Sequence, residues 1–208
     1  MKMELKKALS LILAFALILT LGISTGVYFD DEVNVNAADS ETGSCGDNFT
    51  YTISGTTLYI DDDGTLSEAA EMTDYTINTV TGKSTAPWYA SYYSTITTVI
   101  IQSEYLSNIG NAAFAGMTAL TNVVINSDNS ELVTIGNYAF YNCTALTTFA
   151  KGDDSGTLAD TSEDSEIVLD DATSIGTCAF CGCSEITRVR LGASIASIGA
   201  SAFSGCSD

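Results

Sequence analysis

The chain repeats itself. Ile109-Gly110 followed by Ala113-Phe114 returns as Ile135-Gly136 with Ala139-Phe140, as Ile175-Gly176 with Ala179-Phe180 and as Ile198-Gly199 with Ala202-Phe203, four copies of I-G-x-x-A-F. Three residues after each Phe stands Met117, Cys143, Cys183 or Cys206, and three further on Leu120, Leu146 or Ile186. The steps from Phe to Phe are 26 (114 to 140), 40 (140 to 180) and 23 (180 to 203) residues. A unit of this size, one short strand and one helical or irregular segment, cannot bury its apolar face alone, so the units must stack.

Roles within a unit follow from size and polarity. Ile and Phe fill the core, Gly permits a tight or left-handed turn, small Ala lets neighbouring coils approach, and the Met/Cys position takes a soft apolar side chain. In Thr121-Asn122-Val123-Val124-Ile125 the period of two sends Val123 and Ile125 inward and leaves Asn122 and Val124 on the open face. Ile96, Val99 and Ile101 keep the same phase, as do Ile186, Val189 and Leu191. These patterns predict a right-handed solenoid of about four coils. Its strands at 96–102, 121–126, 146–150 and 187–191 form one parallel sheet, with short helical or irregular segments on the other side. The outward positions then line up as two columns, Thr98, Asn122, Thr148 and Arg188, and Ile100, Val124, Ala150 and Arg190. Exposed Ile100 and Val124 would mark an interaction surface, and Arg188 and Arg190 would meet a partner's carboxylates or sulfates. The plainer reading is that a loop covers these side chains, or that the arginines only offset local acidic charge.

At residues 174–189 the pattern is fullest, S-I-G-x-x-A-F-x-x-C-x-x-I-T-x-V. It resembles the BspA-type leucine-rich repeats of secreted and cell-surface proteins, over residues 96–208. C-G-x-x-x-x-Y at 45–51 and Pro87-Trp88-Tyr89 also resemble the N-terminal flank of such proteins. The resemblance implies a leucine-rich repeat solenoid and a protein that binds other proteins or attaches cells to matrix or to one another. A noncatalytic targeting or spacer module of a larger secreted enzyme, directed to a glycan, is the alternative.

Residues 1–37 begin with Lys2, Lys6 and Lys7 and continue as an uncharged apolar run over 8–29, with Val35-Asn36-Ala37 before Ala38. That is the plan of a secretory signal cut between the two alanines. A retained anchor is the competing reading, since the run is close to the minimum of about 17 residues for a spanning helix. Removal of 1–37 leaves Lys83, Lys151, Arg188 and Arg190 against 22 acidic residues, a net charge of about −18. Such a surface repels nucleic acid and anionic lipid, so neither nucleic-acid binding nor stable membrane insertion of the mature chain is expected.

Residues 38–95 lack the repeat. Phe49 to Ile53 and Thr57 to Ile60 alternate around Ser54-Gly55-Thr56, a hairpin with a three-residue connection, and the sole Pro and Trp of the chain stand just before the first repeat strand. This segment reads as a β-rich N-terminal cap over the open end of the solenoid. Trp88 is expected to pack on the first coil, with a carbohydrate-stacking platform as the functional alternative. The insertion at 151–166 is acidic and aperiodic and reads as a mobile, solvated loop. Calcium is the alternative there, although the D-x-[DN]-x-[DN]-G spacing is missing. The chain stops at Asp208, after the helical half of the fourth repeat, and is read as truncated.

Cys143, Cys183 and Cys206 share one repeat phase and are expected in the core. Cys178 and Cys181 occupy other phases, and C-x-x-C-x-C also invites a metal or redox reading. No second ligand cluster accompanies it, so no metal is expected, and a disulfide among Cys178, Cys181 and Cys183 stays open. With no His in the chain, Ser-His and Cys-His nucleophile pairs cannot form. No pair of carboxylates is placed for glycoside hydrolysis and no Gly-rich phosphate loop occurs. The chain is not expected to be an enzyme or to need a cofactor.

Overall fold

The computed structural model describes residues 41–126, 128–152 and 166–206. The expected signal at 1–37 and most of the acidic insertion, 153–165, lie outside them. The alternating segments become β1 (Glu41–Gly46), β2 (Phe49–Ser54) and β3 (Thr57–Asp62), paired antiparallel with Phe49, Tyr51, Ile53, Leu58 and Ile60 in the core. The hairpin connection is two residues, not three. Ser54 already pairs with Thr57, and Gly55 supplies the positive φ of 58° that such tight turns require. Next come β4 (Ala70–Glu71), the small hairpin of β5 (Ile77–Asn78) and β6 (Lys83–Ser84), and one helical turn, α1 (Tyr89–Tyr92).

From there the chain runs in coils that combine a strand in one sheet, a short strand in a second sheet and a set of turns on a third side, with one further strand inserted in the first sheet. The strands are β7 (Thr98–Ile101), β8 (Leu106–Ile109), β9 (Asn122–Asn126), β10 (Thr134–Ile135), β11 (Thr148–Gly152), β12 (Ile167–Leu169), β13 (Ser174–Ile175), β14 (Val189–Leu191) and β15 (Ser197–Ile198). The main sheet has the order β1-β2-β3-β7-β9-β11-β12-β14 and the second β15-β13-β10-β8-β4. Because β3 pairs in parallel with β7, placing Leu58 beside Val99 and Ile60 beside Ile101, the N-terminal hairpin continues the main sheet and covers its first edge.

The third side holds an aromatic ladder. Trp88 stacks on Phe114 (centroids 5.6 Å apart), Phe114 on Phe140 (5.3 Å), Phe140 on Phe180 (5.1 Å) and Phe180 on Phe203 (5.3 Å). Trp88 is thus the Phe of the capping coil, and at 0 % exposure it offers no face to a sugar. Its Nε1–H donates to the Ala113 carbonyl at 2.9 Å. Trp88→Phe keeps the stack but strands that buried carbonyl, and is expected to cost about 1–3 kcal/mol. An unchanged urea midpoint would show that the hydrogen bond adds nothing.

Coil-to-coil hydrogen bonds run beside the ladder. Phe114 N–H donates to the Ala139 carbonyl (2.8 Å), Phe140 to Ala179 (2.7 Å) and Phe180 to Ala202 (2.8 Å). The thiols of Cys143 and Cys183 donate to the carbonyls of Phe114 and Phe140, both at 3.0 Å. The Cys phase therefore combines apolar packing with a weak donor, which Met117 lacks. Burial pushes both thiols far above the usual range, and lifts Cys45 to about 12. Cys206, in the last described coil, is only half-buried.

The repeat glycines act differently from the expected turn role. Within I-G-x-x-A-F the left-handed residues are Ala112 (φ 50°), Tyr138 (57°), Cys178 (51°) and Ser201 (57°), each two positions after the Gly, and a second left-handed position two residues after the Phe is held by Gly116, Asn142, Gly182 and Gly205. The glycines of I-G-x-x-A-F are needed because the coils touch there. A Cβ on Gly136 would stand 2.7 Å from both Asn111 N and Ile109 O, and one on Gly176 would stand 2.5 Å from Asn137 N.

A second correction concerns the 40-residue step. It contains a further strand of the main sheet, β12, which sends Ile167 and Leu169 into the core between β11 and β14. Ile167 and Val168 are β-branched, which suits a strand. No I-G-x-x-A-F follows β11, and the third side passes directly from Phe140 to Phe180. The main sheet therefore gains one strand spacing, about 4.8 Å, over the other sides. Only the pair Phe149 and Ile167 registers between β11 and β12. Lys151 and Gly152 belong to β11, which corrects the expected start of the insertion loop at residue 151.

Candidate functional site

The outward face of the main sheet carries the positions singled out by the repeat phase. Thr98 pairs with Asn122 and Asn122 with Thr148, so the three stand side by side as expected. Thr57 pairs with Thr98 and adds a fourth member. Neighbouring strands lie about 4.8 Å apart, giving a polar row roughly 14 Å long. All four residues are half-buried. The row is fixed from behind by a second set of hydroxyls one residue earlier: Thr121 Oγ1 donates to the Thr97 carbonyl (2.9 Å), and Thr147 Oγ1 to the Thr121 carbonyl (3.3 Å). Asn122 Nδ2 donates to Thr121 Oγ1 at 3.0 Å, which sets the orientation of its amide.

Ile100 and Val124 form the next outward row, between Tyr59 and Ala150. Their expected exposure is corrected: they are 3 % and 2 % exposed. Both lie in central strands, and burial this deep on an outward face agrees with the plainer reading, that other residues cover these side chains. They present no open apolar patch.

The arginines sit apart from the polar row. Val168 of β12 faces Arg190 and Ile167 faces Val189, so β12 separates β11 from β14 and from Arg188, just before it. Arg188 is exposed. Arg190 is engaged within the chain: Nε donates to Asp170 Oδ1 at 3.1 Å and Nη2 to Oδ2 at 2.9 Å, with Glu166 Oε2 3.7 Å from Nη1. Its charge offsets local acidity, as in the plainer reading of the two arginines. Lys151 likewise pairs with Asp171 at 2.7 Å. The face is thus divided into a hydroxyl and amide row on β3 to β11 and an ion-paired region on β12 to β14.

Thr57 escaped the sequence reading because it lies in the segment taken as cap, yet Thr57-Leu58-Tyr59-Ile60 has the phase of Thr98-Val99-Ile100-Ile101. A second missed feature is a side-chain ladder at the corner after each Ile-Gly. Asp74 accepts from Asn111 N (2.7 Å), Asn111 Oδ1 from Asn137 N (2.6 Å) and Asn137 Oδ1 from Thr177 N (2.7 Å). Its signal was available, since Asn111, Asn137 and Thr177 share one position of the repeat. Among the described residues no three His, Cys, Asp or Glu side chains are grouped to hold a metal ion, and no helix is long and apolar enough to cross a membrane.

The family profile described as BspA type leucine rich repeat region matches in six copies over residues 84–162 and 154–208. The match starts at Ser84, ahead of the first repeat strand, and so takes in Trp88. No curated protein matches the chain. Among solved structures, a leucine-rich repeat protein from Bacteroides ovatus is 21% identical, with a TM-score of 0.43, over 71% of this chain and 34% of its own. One from Eubacterium ventriosum is 14% identical (TM-score 0.36; 80% and 64% covered). A leucine rich cell surface protein from Faecalibacterium prausnitzii is 17% identical (TM-score 0.30; 88% and 53% covered). This chain spans 34% to 64% of the lengths of these proteins.

Proposed function

The chain belongs to the BspA-type leucine-rich repeat family, and from that premise we propose that it is an extracellular or cell-surface module that binds a protein partner through the outward face of its main sheet. The observation that carries this reading is the in-register row of Thr57, Thr98, Asn122 and Thr148. Four strands present hydrogen-bonding groups at a fixed spacing, on a rigid sheet whose backbone is already satisfied. Such a row recognises an extended partner by position and needs no catalytic pocket. The signal-like residues 1–37 direct export, and the strongly acidic charge keeps the module soluble. The absence of His from the sequence favours binding over catalysis. The hydroxyl and amide composition of the row also suits sugar hydroxyls, which supports a second reading, a noncatalytic glycan-directed targeting module.

The test is solid-phase binding of the secreted chain to a panel of extracellular-matrix proteins and to a glycan array, beside a variant carrying Thr98→Arg, Asn122→Arg and Thr148→Arg. These positions are outward and half-exposed, so the variant should keep its far-ultraviolet spectrum and melting temperature. A partner held by this face is expected to bind it at least about tenfold more weakly, a loss of about 1.4 kcal/mol. Equal binding by a folded variant would remove the row from the interface. Binding confined to the glycan array would favour the second reading.

A further inference from the structure

On the third side of the coils, two positions flank each Ala-Phe pair. They are Ala112 and Ala115, Tyr138 and Tyr141, Cys178 and Cys181, and Ser201 and Ser204. In every coil the second N–H donates to the first carbonyl, at 3.3, 3.1, 3.2 and 3.1 Å. A turn closed in this way keeps its first and fourth Cα atoms within about 7 Å, inside the span of about 4.4–6.8 Å that a disulfide needs at its shorter values. At the same two positions of the preceding coil the side chains meet, the rings of Tyr138 and Tyr141 lying 5.8 Å apart edge to face, and at Cys181 burial, with the neighbouring Cys178 thiol adding to it, pushes the thiol up.

The other cysteines are placed differently. Cys143 and Cys183 are buried, with their thiols held on the carbonyls of Phe114 and Phe140. The thiol of Cys206 rests on the Phe180 carbonyl at 3.4 Å. Cys45 is buried at the opposite end of the ladder, beside the capping coil. Cys178 and Cys181 combine a shared turn, closed by the hydrogen bond from Cys181 N–H to the Cys178 carbonyl at 3.2 Å, with partial exposure.

We propose that Cys178 and Cys181 are a redox site, closed to a disulfide by exchange with a low-molecular-weight disulfide outside the cell. One thiol of the pair loses its proton to solvent and attacks the small disulfide, breaking its S–S bond and releasing one small thiolate. The second protein thiolate attacks the mixed disulfide, forming the Cys178–Cys181 bond and expelling the second small thiolate. The protein gives up two protons and two electrons, and the small disulfide becomes two thiols. The site is on the third side of the coils and does not depend on the binding role of the main sheet. Ser201 and Ser204 fill the same two positions one coil on, so Cys178→Ser with Cys181→Ser should preserve the fold.

The experiment treats the full secreted chain, first reduced, with oxidised glutathione, alkylates remaining thiols with iodoacetamide after unfolding, and digests without reduction using chymotrypsin. Phe180 lies between the two cysteines. Cleavage after it leaves Cys178 and Cys181 in separate peptides joined only by the proposed bond, whereas a bond from Cys181 to Cys183 would stay inside one peptide. The expected result is loss of two of the six titratable thiols and a linked peptide pair that separates on reduction, with Cys183 alkylated. The doubly substituted variant should lose none. Separate alkylation of Cys178 and Cys181 after oxidation, a stable glutathione adduct on either, or pairing of either with Cys183 or Cys206 would each overturn the assignment.

Discussion

Phe140→Ala is expected to lower the free energy of unfolding by about 3–5 kcal/mol. The side chain is fully buried and stacks on Phe114 at 5.3 Å and on Phe180 at 5.1 Å, with Phe149 of the main sheet edge-on at 5.8 Å. In a solenoid, stability is close to a sum of neighbouring interface terms. Removing this ring weakens two interfaces and the contact between the third side and the main sheet. Phe203 is half-buried and stacks on Phe180, so Phe203→Ala should cost roughly half as much. Urea titration followed by tyrosine and tryptophan fluorescence measures both, and a Phe140→Ala loss below about 1 kcal/mol would contradict the continuous ladder.

Gly136→Ala is expected to destabilise by about 1–3 kcal/mol or more, although it adds one methyl group. That methyl would stand 2.7 Å from Asn111 N and Ile109 O. These are backbone atoms and cannot rotate away. Relief requires the coils to separate, which strains the hydrogen bond from Gly136 N–H to the Ile109 carbonyl at 2.9 Å. Gly55→Ala is the control. Its Cβ meets nothing within 4 Å, so any cost there comes from the φ of 58° alone. If Gly136→Ala melts at the parent temperature while remaining folded, the close approach of the coils at this corner is wrong.

The repeat phase was legible because it is a packing rule stated four times. Ile109, Phe114, Val123 and Leu120 are all fully buried, and the parallel pairing of Thr98, Asn122 and Thr148 follows from strands that start at the same phase. The role of the glycines was not legible from one coil, since a residue needed for close approach and one needed for positive φ look alike in sequence. The backbone of the neighbouring coil distinguishes them. β12 was hidden because three apolar residues after a long acidic stretch carry too little periodicity, and only pairing with β11 and β14 identifies them as a strand. Asn129 illustrates the same limit. In a run of Asn, Ser, Asp and Glu it reads as a surface loop residue, yet it is buried and donates to the Ser103 and Leu106 carbonyls at 3.0 and 3.2 Å.

At the candidate site the alternation rule placed Val99, Val123 and Phe149 inside, as found, but Leu191, expected inside, is exposed in the last strand, and the rule said nothing of how far an outer side chain is covered. Ile100 and Val124 are outward by phase and yet buried. The phase of Arg188 and Arg190 matches that of the polar row, but β12 separates them from it and brings Asp170 to Arg190.

Hydroxyl-radical footprinting of the chain, free and with its partner bound, tests the main-sheet reading most directly, because tyrosines report on both sides of the coils. Tyr59 stands on the outward face beside Ile100, whereas Tyr138 and Tyr141 stand on the third side, and all three are half-buried. Binding through the main sheet predicts that the partner lowers oxidation of Tyr59 and leaves Tyr138 and Tyr141 unchanged. Protection of Tyr138 and Tyr141 with Tyr59 unaffected would place the interface on the third side and contradict the account.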